Sequence, residues 1–129
     1  MPVYLDLSPL DRLATVIVRG SLTPRDVAEL ARQLMAPEVR RFDKIIDVSS
    51  GTADMSADEI HALADVLRTG NHVRGPIAFV VDPENIRFSS VFAKATSPDR
   101  PVKLFRSLHD ARQWLRDLRR SNGNGVPAI

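Results

Sequence analysis

The 129-residue sequence contains no cysteine, few aromatic residues and no long apolar run. Without cysteine the chain can form neither a disulfide nor a thiolate nucleophile, and it lacks the ligands of cysteine-based zinc and iron–sulfur sites. Aromatic residues make up 5% of the chain, too few to pair a basic surface with stacking side chains for nucleic acid. No apolar stretch approaches the roughly 20 residues of a membrane-spanning helix.

What remains is the composition of an ordinary globular domain, with 43% hydrophobic and 26% charged residues. The formal net charge of +2 is small. One local concentration of arginine, which falls on the outer face of the last predicted helix, is interpreted as a solvated face; it comprises Arg112, Arg116, Arg119 and Arg120. The first residues, Met1 to Leu7, do not resemble a secretory leader. We therefore expect a cytoplasmic protein with neither a membrane segment nor a nucleic-acid partner.

Apolar runs rich in β-branched residues alternate with helical patterns along the chain. The runs Val3 to Leu7 and Leu13 to Val18, separated by a short polar stretch, predict an antiparallel hairpin. Thr23, Pro24 and Asp26 then form the pattern of a helix start, with a capping residue, a proline in the first turn and an acidic residue three positions on. The chain is thus predicted to begin with a hairpin followed by a helix.

Three further strand–helix units follow. Their strands are predicted at 43–49, 75–82 and 100–105, and their helices are predicted to begin at Ala57, at Asp82-Pro83 and after Ser107. The order β-β-α-β-α-β-α-β-α predicts an α/β fold whose five-stranded sheet is mainly parallel, with an antiparallel first strand and helices chiefly on one face. Residues 1–120 are predicted to form this single domain, and residues 121–129 a flexible tail.

Both faces of the predicted second strand are apolar. Ala14, Val16 and Val18 alternate with Leu13, Thr15 and Ile17, so a sheet with its helices on one face leaves an apolar second face. Exposed apolar surface of this kind marks an association site. We expect a homodimer that buries part of this face or an exposed edge of the sheet.

The chain resembles the STAS domain of anti-sigma-factor antagonists of the SpoIIAA type, and more closely the stand-alone bacterial STAS-like proteins that are also similar to the CRAL-TRIO lipid-carrier domain. The resemblance covers about residues 3 to 119. In the antagonists a strand ending "DLS" precedes a "DS[ST]G" motif whose serine is phosphorylated. Here "DVS" stands at 47–49, and the motif register falls on Met55, Ser56, Ala57 and Asp58, of which the serine alone matches. The resemblance implies a bacterial, non-enzymatic regulatory domain that acts on a protein partner.

Ser56 is the candidate switch residue that this resemblance singles out. With Glu59 three residues later it also forms a capping box, worth about 1 kcal/mol without any modification. A phosphate there would be repelled by the neighbouring carboxylates, so modification is expected to loosen the start of the second predicted helix. The partner surface is predicted around Ser56, from Asp54, Met55, Asp58 and Glu59.

No pattern in the chain predicts catalysis, a cofactor or a metal. The carboxylates of Asp54, Asp58 and Glu59 lack the spacing and the glycine of a calcium loop. The three histidines are not spaced as ligand pairs, and neither a nucleophile elbow nor a glycine-rich phosphate loop is present. We predict that the protein is not an enzyme.

The lipid-carrier resemblance supports a second hypothesis, a domain that binds or senses a small apolar ligand or lipid. The third predicted helix carries several apolar residues that could cover a cavity against the strand before it. The candidate pocket residues are Ile77, Phe79, Ile86, Phe88 and Phe92. As simple core residues they would need no ligand, and both interpretations stay open at this point.

Overall fold

The structure is a computed structural model that describes residues 3–53, 55–67, 75–84, 86–96 and 100–124. The strands are β1 (Val3–Ser8), β2 (Leu13–Leu22), β3 (Asp43–Ala53), β4 (Ile77–Val80) and β5 (Val102–Phe105), and the helices are α1 (Pro24–Leu34), α2 (Ala57–Leu67), α3 (Arg87–Thr96) and α4 (Leu108–Asn124). The strands pair in chain order, β1 antiparallel to β2 and the others parallel. The predicted element order and mixed sheet are confirmed.

Local sequence signals position the helix starts. At α1 the Thr23 hydroxyl accepts a hydrogen bond from the Asp26 amide at 3.1 Å, and the Asp26 carboxylate accepts one from the Thr23 amide at 3.0 Å. At α4 the Asp110 amide donates to the Ser107 hydroxyl at 3.1 Å. Each bond satisfies an amide that the first helical turn leaves without a partner. Both predicted caps are confirmed.

The strands β2 and β3 extend further than their apolar runs predicted. After a bulge between Ile17 and Arg19, residues 19–22 of β2 pair in parallel with residues 50–53 of β3. The hydroxyl oxygens of Ser21 and Thr52 lie 3.1 Å apart across this extension. Because the polar composition of 50–53 favours a loop, the pairing of the two strands overrides the local preference.

Helix α3 begins four residues later than predicted. The Asp82 carboxylate accepts a hydrogen bond from the Glu84 amide at 3.0 Å, which closes a local turn in place of a helix cap. The first helical bond runs from the Ser90 amide to the carbonyl of Ile86, at 2.8 Å. The predicted start at Asp82-Pro83 is therefore wrong. At the other end of the chain α4 continues to Asn124, beyond the predicted boundary at 120, and residues 125–129 lie outside the described residues.

The helices cover the two faces of the sheet unequally. Helices α1, α2 and α3 pack on the face that carries Val16, Ile46 and Phe79, whereas α4 packs alone on the face that carries Ile45 and Val80. The prediction of helices chiefly on one face is confirmed. Since α4 covers part of the second face, the apolar surface available to a dimer is limited to the β1–β2 end of that face. The homodimer stays a prediction, which light scattering can test. Among the described residues no helix combines the length and the apolar character needed to cross a bilayer.

Arg119 connects α4 to the first hairpin and to β3. Its guanidinium donates to the carbonyl of Asp11 at 3.0 Å and to the carboxylate of Asp43 at 2.9 Å. Burial raises the pKa of Asp43, and the nearby guanidinium of Arg119 partly offsets this effect. Both Arg119 and Arg120 are exposed, as predicted for the solvated face, but Arg119 also has a structural role.

Replacing Arg119 by methionine is expected to lower the free energy of unfolding by about 1–2 kcal/mol, because the half-buried Asp43 carboxylate loses its partner. Urea denaturation measures the change. The matched control Arg120→Met should shift the free energy by less than about 0.5 kcal/mol. Equal losses in the two variants would contradict the assigned role of Arg119.

Candidate functional site

A cavity of about 150 Å³ lies inside the main core, between the sheet and the three helices on its larger face. The strands β2, β3 and β4 contribute Val18, Ile46 and Phe79 to its floor, and α1 and α2 contribute Leu30 and Leu63 to its wall. Alternation along the strands places these side chains on one face of the sheet. The wall is mostly apolar and suits a nonpolar molecule.

Four of the five predicted pocket residues line this cavity. They are Ile77, Phe79, Phe88 and Phe92. The Phe92 ring packs edge-on to Phe79 at a centroid distance of 5.8 Å and stacks on Phe88 at 5.9 Å. Ile86 does not line the cavity, because it precedes the first turn of α3 and is 39% exposed. The sequence pattern thus located the cavity beneath α3 but missed the contribution of α1.

Four basic side chains also line the cavity: Arg40, Lys44, Arg87 and Arg100. Lys44 is 2% exposed and Arg100 7% exposed. Among the described residues that line the cavity there is neither an aspartate nor a glutamate. The cavity therefore combines a mostly apolar wall with several basic side chains.

Lys44 is the most deeply buried of these cations. It lies on the same face of β3 as Ile46, and its ammonium donates to the carbonyls of Arg40 at 2.8 Å and Phe42 at 2.9 Å. Burial, followed by the positive charge of Arg100, lowers the pKa of Lys44 from 10.5 to about 7. Sequence analysis did not single out this residue, although a lysine inside a buried strand pattern is itself a signal, since lysine is rarely fully buried.

The segments that precede β3, β4 and β5 meet at this end of the cavity. The Gly75 amide donates to the carbonyl of Arg40 at 2.9 Å, and its own carbonyl accepts from the Arg100 guanidinium at 3.3 Å. A Cβ at Gly75 would lie 2.0 Å from the carbonyl oxygen of Phe42, so glycine alone permits this approach. The backbone thereby gathers Arg40, Lys44 and Arg100 in one place.

Ser56 lies at the opposite, carboxyl end of the strands. It is exposed, and the predicted capping box is confirmed: its hydroxyl accepts from the Glu59 amide at 3.2 Å, and the Glu59 carboxylate accepts from the Ser56 amide at 3.0 Å. Asp58 and Glu59 are exposed beside it, whereas Met55 is 6% exposed and belongs to the core, not to the surface predicted around Ser56. Asp54 lies outside the described residues.

One neighbour of Ser56 was missed by sequence reasoning. Arg87, at the start of α3, donates to the carbonyl of Met55 at 2.7 Å. The two residues are 32 positions apart, and only the packing of α3 beside α2 brings them together. A positive charge therefore accompanies the carboxylates near Ser56.

Across the described residues, no three histidine or acidic side chains are grouped in a way that could hold a metal ion. His61 and His109 are exposed, and His72 lies outside the described residues. The site is thus defined by an apolar cavity, its buried cations and the capped start of α2.

A mainly parallel sheet with a leading hairpin, covered by three helices on one face and one on the other, defines a small α/β domain. The chain belongs to the SpoIIAA-like family, whose model matches residues 13–116. Its fold is similar to the crystal structure of an uncharacterised protein of the DUF3478 family, with a SpoIIAA-like fold, from Shewanella loihica PV-4. That match has a TM-score of 0.56 and 19% identity, and covers 88% of this chain and 91% of the other. No curated protein matches the chain.

The free energy of unfolding is expected to rise between about pH 7 and pH 10. The pKa of Lys44 is 10.5 in the unfolded chain and about 7 in the folded chain, so in this window the unfolded chain binds more protons at Lys44 than the folded chain does. Each unit of pKa difference corresponds to about 1.4 kcal/mol. Denaturant titrations at several pH values measure this slope. Lys44→Met should remove it, whereas Lys94→Met, an exposed lysine on α3, should retain it. A wild-type slope that survives in Lys44→Met would contradict the assignment.

Proposed function

We propose that this protein is a non-enzymatic binding domain that takes a small apolar molecule into the cavity beneath α1, α2 and α3. The observation that supports the proposal is the cavity itself, about 150 Å³ in volume and mostly apolar. A cavity of about this size has room for a molecule as large as benzene.

A molecule bound in this cavity would stabilise the folded state by mass action, because the unfolded chain offers no such site. Thermal stability is therefore a direct measure of binding.

Filling the cavity from α1 tests the proposal. Ala31 lines the cavity, and Ala31→Leu is expected to raise the free energy of unfolding by about 1 kcal/mol and to abolish binding of benzene measured by the ligand-induced shift in melting temperature. Ala28 lies on the exposed side of the same helix, so Ala28→Leu is the matched control and should leave the shift intact. If benzene stabilises neither the wild type nor Ala28→Leu, the proposed function is wrong.

A second candidate function is regulation through a protein partner at the start of α2, of the kind that anti-sigma-factor antagonists perform. Membership of the SpoIIAA-like family and the exposure of Ser56 favour it. The bond from Arg87 to the carbonyl of Met55 also supports it, since it brings a basic group to the residue before Ser56. That the protein acts in the cytoplasm and that it forms a homodimer both stay predictions.

Two substitutions separate a switch from a cap at Ser56. Ser56→Ala is expected to cost about 1 kcal/mol of stability, because the Glu59 amide loses its acceptor, whereas aspartate caps as well as serine and Ser56→Asp should cost less than about 0.5 kcal/mol. Urea denaturation and pull-down from the native host measure stability and partner recovery. A partner retained by Ser56→Ala but lost in Ser56→Asp indicates a charge-sensitive switch. Equal recovery with all three proteins would leave Ser56 as a helix cap alone.

A further inference from the structure

Among the described residues, the charged side chains that line the cavity are all basic, and this restricts the ligand. We propose, on the basis of the binding function proposed above, that the cavity takes a small apolar acid whose carboxylate lies against Lys44 and Arg40 while its nonpolar body contacts the phenylalanines. An uncharged ligand would fill the same space but would offer no charged acceptor to the unused donors of Lys44 and Arg40.

The donors of this cluster are incompletely satisfied within the described residues. A lysine ammonium has three N–H donors, and Lys44 directs two of them to the carbonyls of Arg40 and Phe42. The Nε of Arg40 is buried and has no hydrogen-bond partner in the described part of the chain. A buried donor without an acceptor is costly, and a carboxylate supplies two acceptor oxygens.

The electrostatic surroundings of Lys44 point the same way. Arg100 from the segment before β5 adds a like charge beside Lys44. Arg40 from the segment before β3 lines the same cavity. The nearby Asp43 acts in the opposite sense, but its carboxylate pairs with Arg119. Burial and like charge together depress the pKa of Lys44. A bound anion would oppose both effects and keep the ammonium charged.

The size of the cavity and the cost of burying charge limit the size and the net charge of the ligand. A volume of about 150 Å³ accommodates one aromatic ring or a short aliphatic chain. Burial of a doubly charged group costs far more than burial of a single charge. An aryl or short-chain monocarboxylate therefore fits better than a phosphate ester or a long-chain lipid.

Three probes of one size and shape test the charge of the ligand. Phenylacetate is expected to bind the wild-type protein about tenfold or more tightly than phenylacetamide, its neutral analogue, because it gains a charge-assisted hydrogen bond in a buried site. 2-Phenylethylammonium should bind most weakly of the three. Isothermal titration calorimetry on the full chain gives the three dissociation constants.

Variants locate the effect at Lys44. Lys44→Met keeps the aliphatic stem and should lose most of the preference for phenylacetate, whereas the exposed control Lys94→Met should keep it. A preference that persists in Lys44→Met overturns the assignment to this residue. The wild-type series decides the ligand charge even if Lys44→Met does not fold.

The outcomes also distinguish failure of this proposal from failure of the proposed binding function on which it rests. Equal binding of phenylacetate and phenylacetamide, both lost in Ala31→Leu, would overturn the acidic ligand and leave the cavity as a binding site. Binding of none of the three probes, together with no benzene-induced stabilisation, would overturn both. Tighter binding of phenylphosphonate than of phenylacetate would show that the head group is not a carboxylate.

Discussion

Removing the Lys44 ammonium from water is the constraint on which the rest of the structure depends. A buried cation needs acceptors, and the backbone carbonyls of Arg40 and Phe42 supply them only if the segment before β3 turns tightly over the strand. Gly75 then fits against that turn, and Arg100 binds Gly75, so the segments before β3, β4 and β5 are fixed relative to one another. The cavity lies above this junction, where Arg40, Lys44 and Arg100 line it.

The two candidate functions meet at one residue. Arg87 lines the cavity with its own side chain and also binds the carbonyl of Met55, directly before the cap of α2. Met55 itself is part of the core cluster that surrounds the cavity. A ligand in the cavity and a partner at Ser56 would therefore act on the same short segment. Coupling between them requires that the contacts of Arg87 differ between the ligand-bound and the ligand-free protein.

Much of the fold could be predicted because its signals are local. The caps at Thr23, Ser56 and Ser107 and the apolar strand runs lie within a few residues, and they fixed the element order and three helix starts. The errors have non-local causes: β3 is extended by pairing with β2, and Asp82 closes a turn that resembles a cap in sequence. The resemblance to the lipid-carrier fold directed attention to the phenylalanines of β4 and α3. It did not indicate the cation cluster, since Arg40, Lys44 and Arg100 converge only where the segments before β3, β4 and β5 meet.

The contact between Arg119 and the carbonyl of Asp11 spans 108 residues of chain. Strands that pair in chain order allow the sheet to grow one strand at a time as the polypeptide is synthesised, from the hairpin towards β5. The contact of Arg119 forms only after synthesis has reached α4, and it then joins the first hairpin to the last helix. The sheet can therefore assemble gradually, whereas this contact needs both ends of the domain at once, and a chain cut short before Arg119 lacks it.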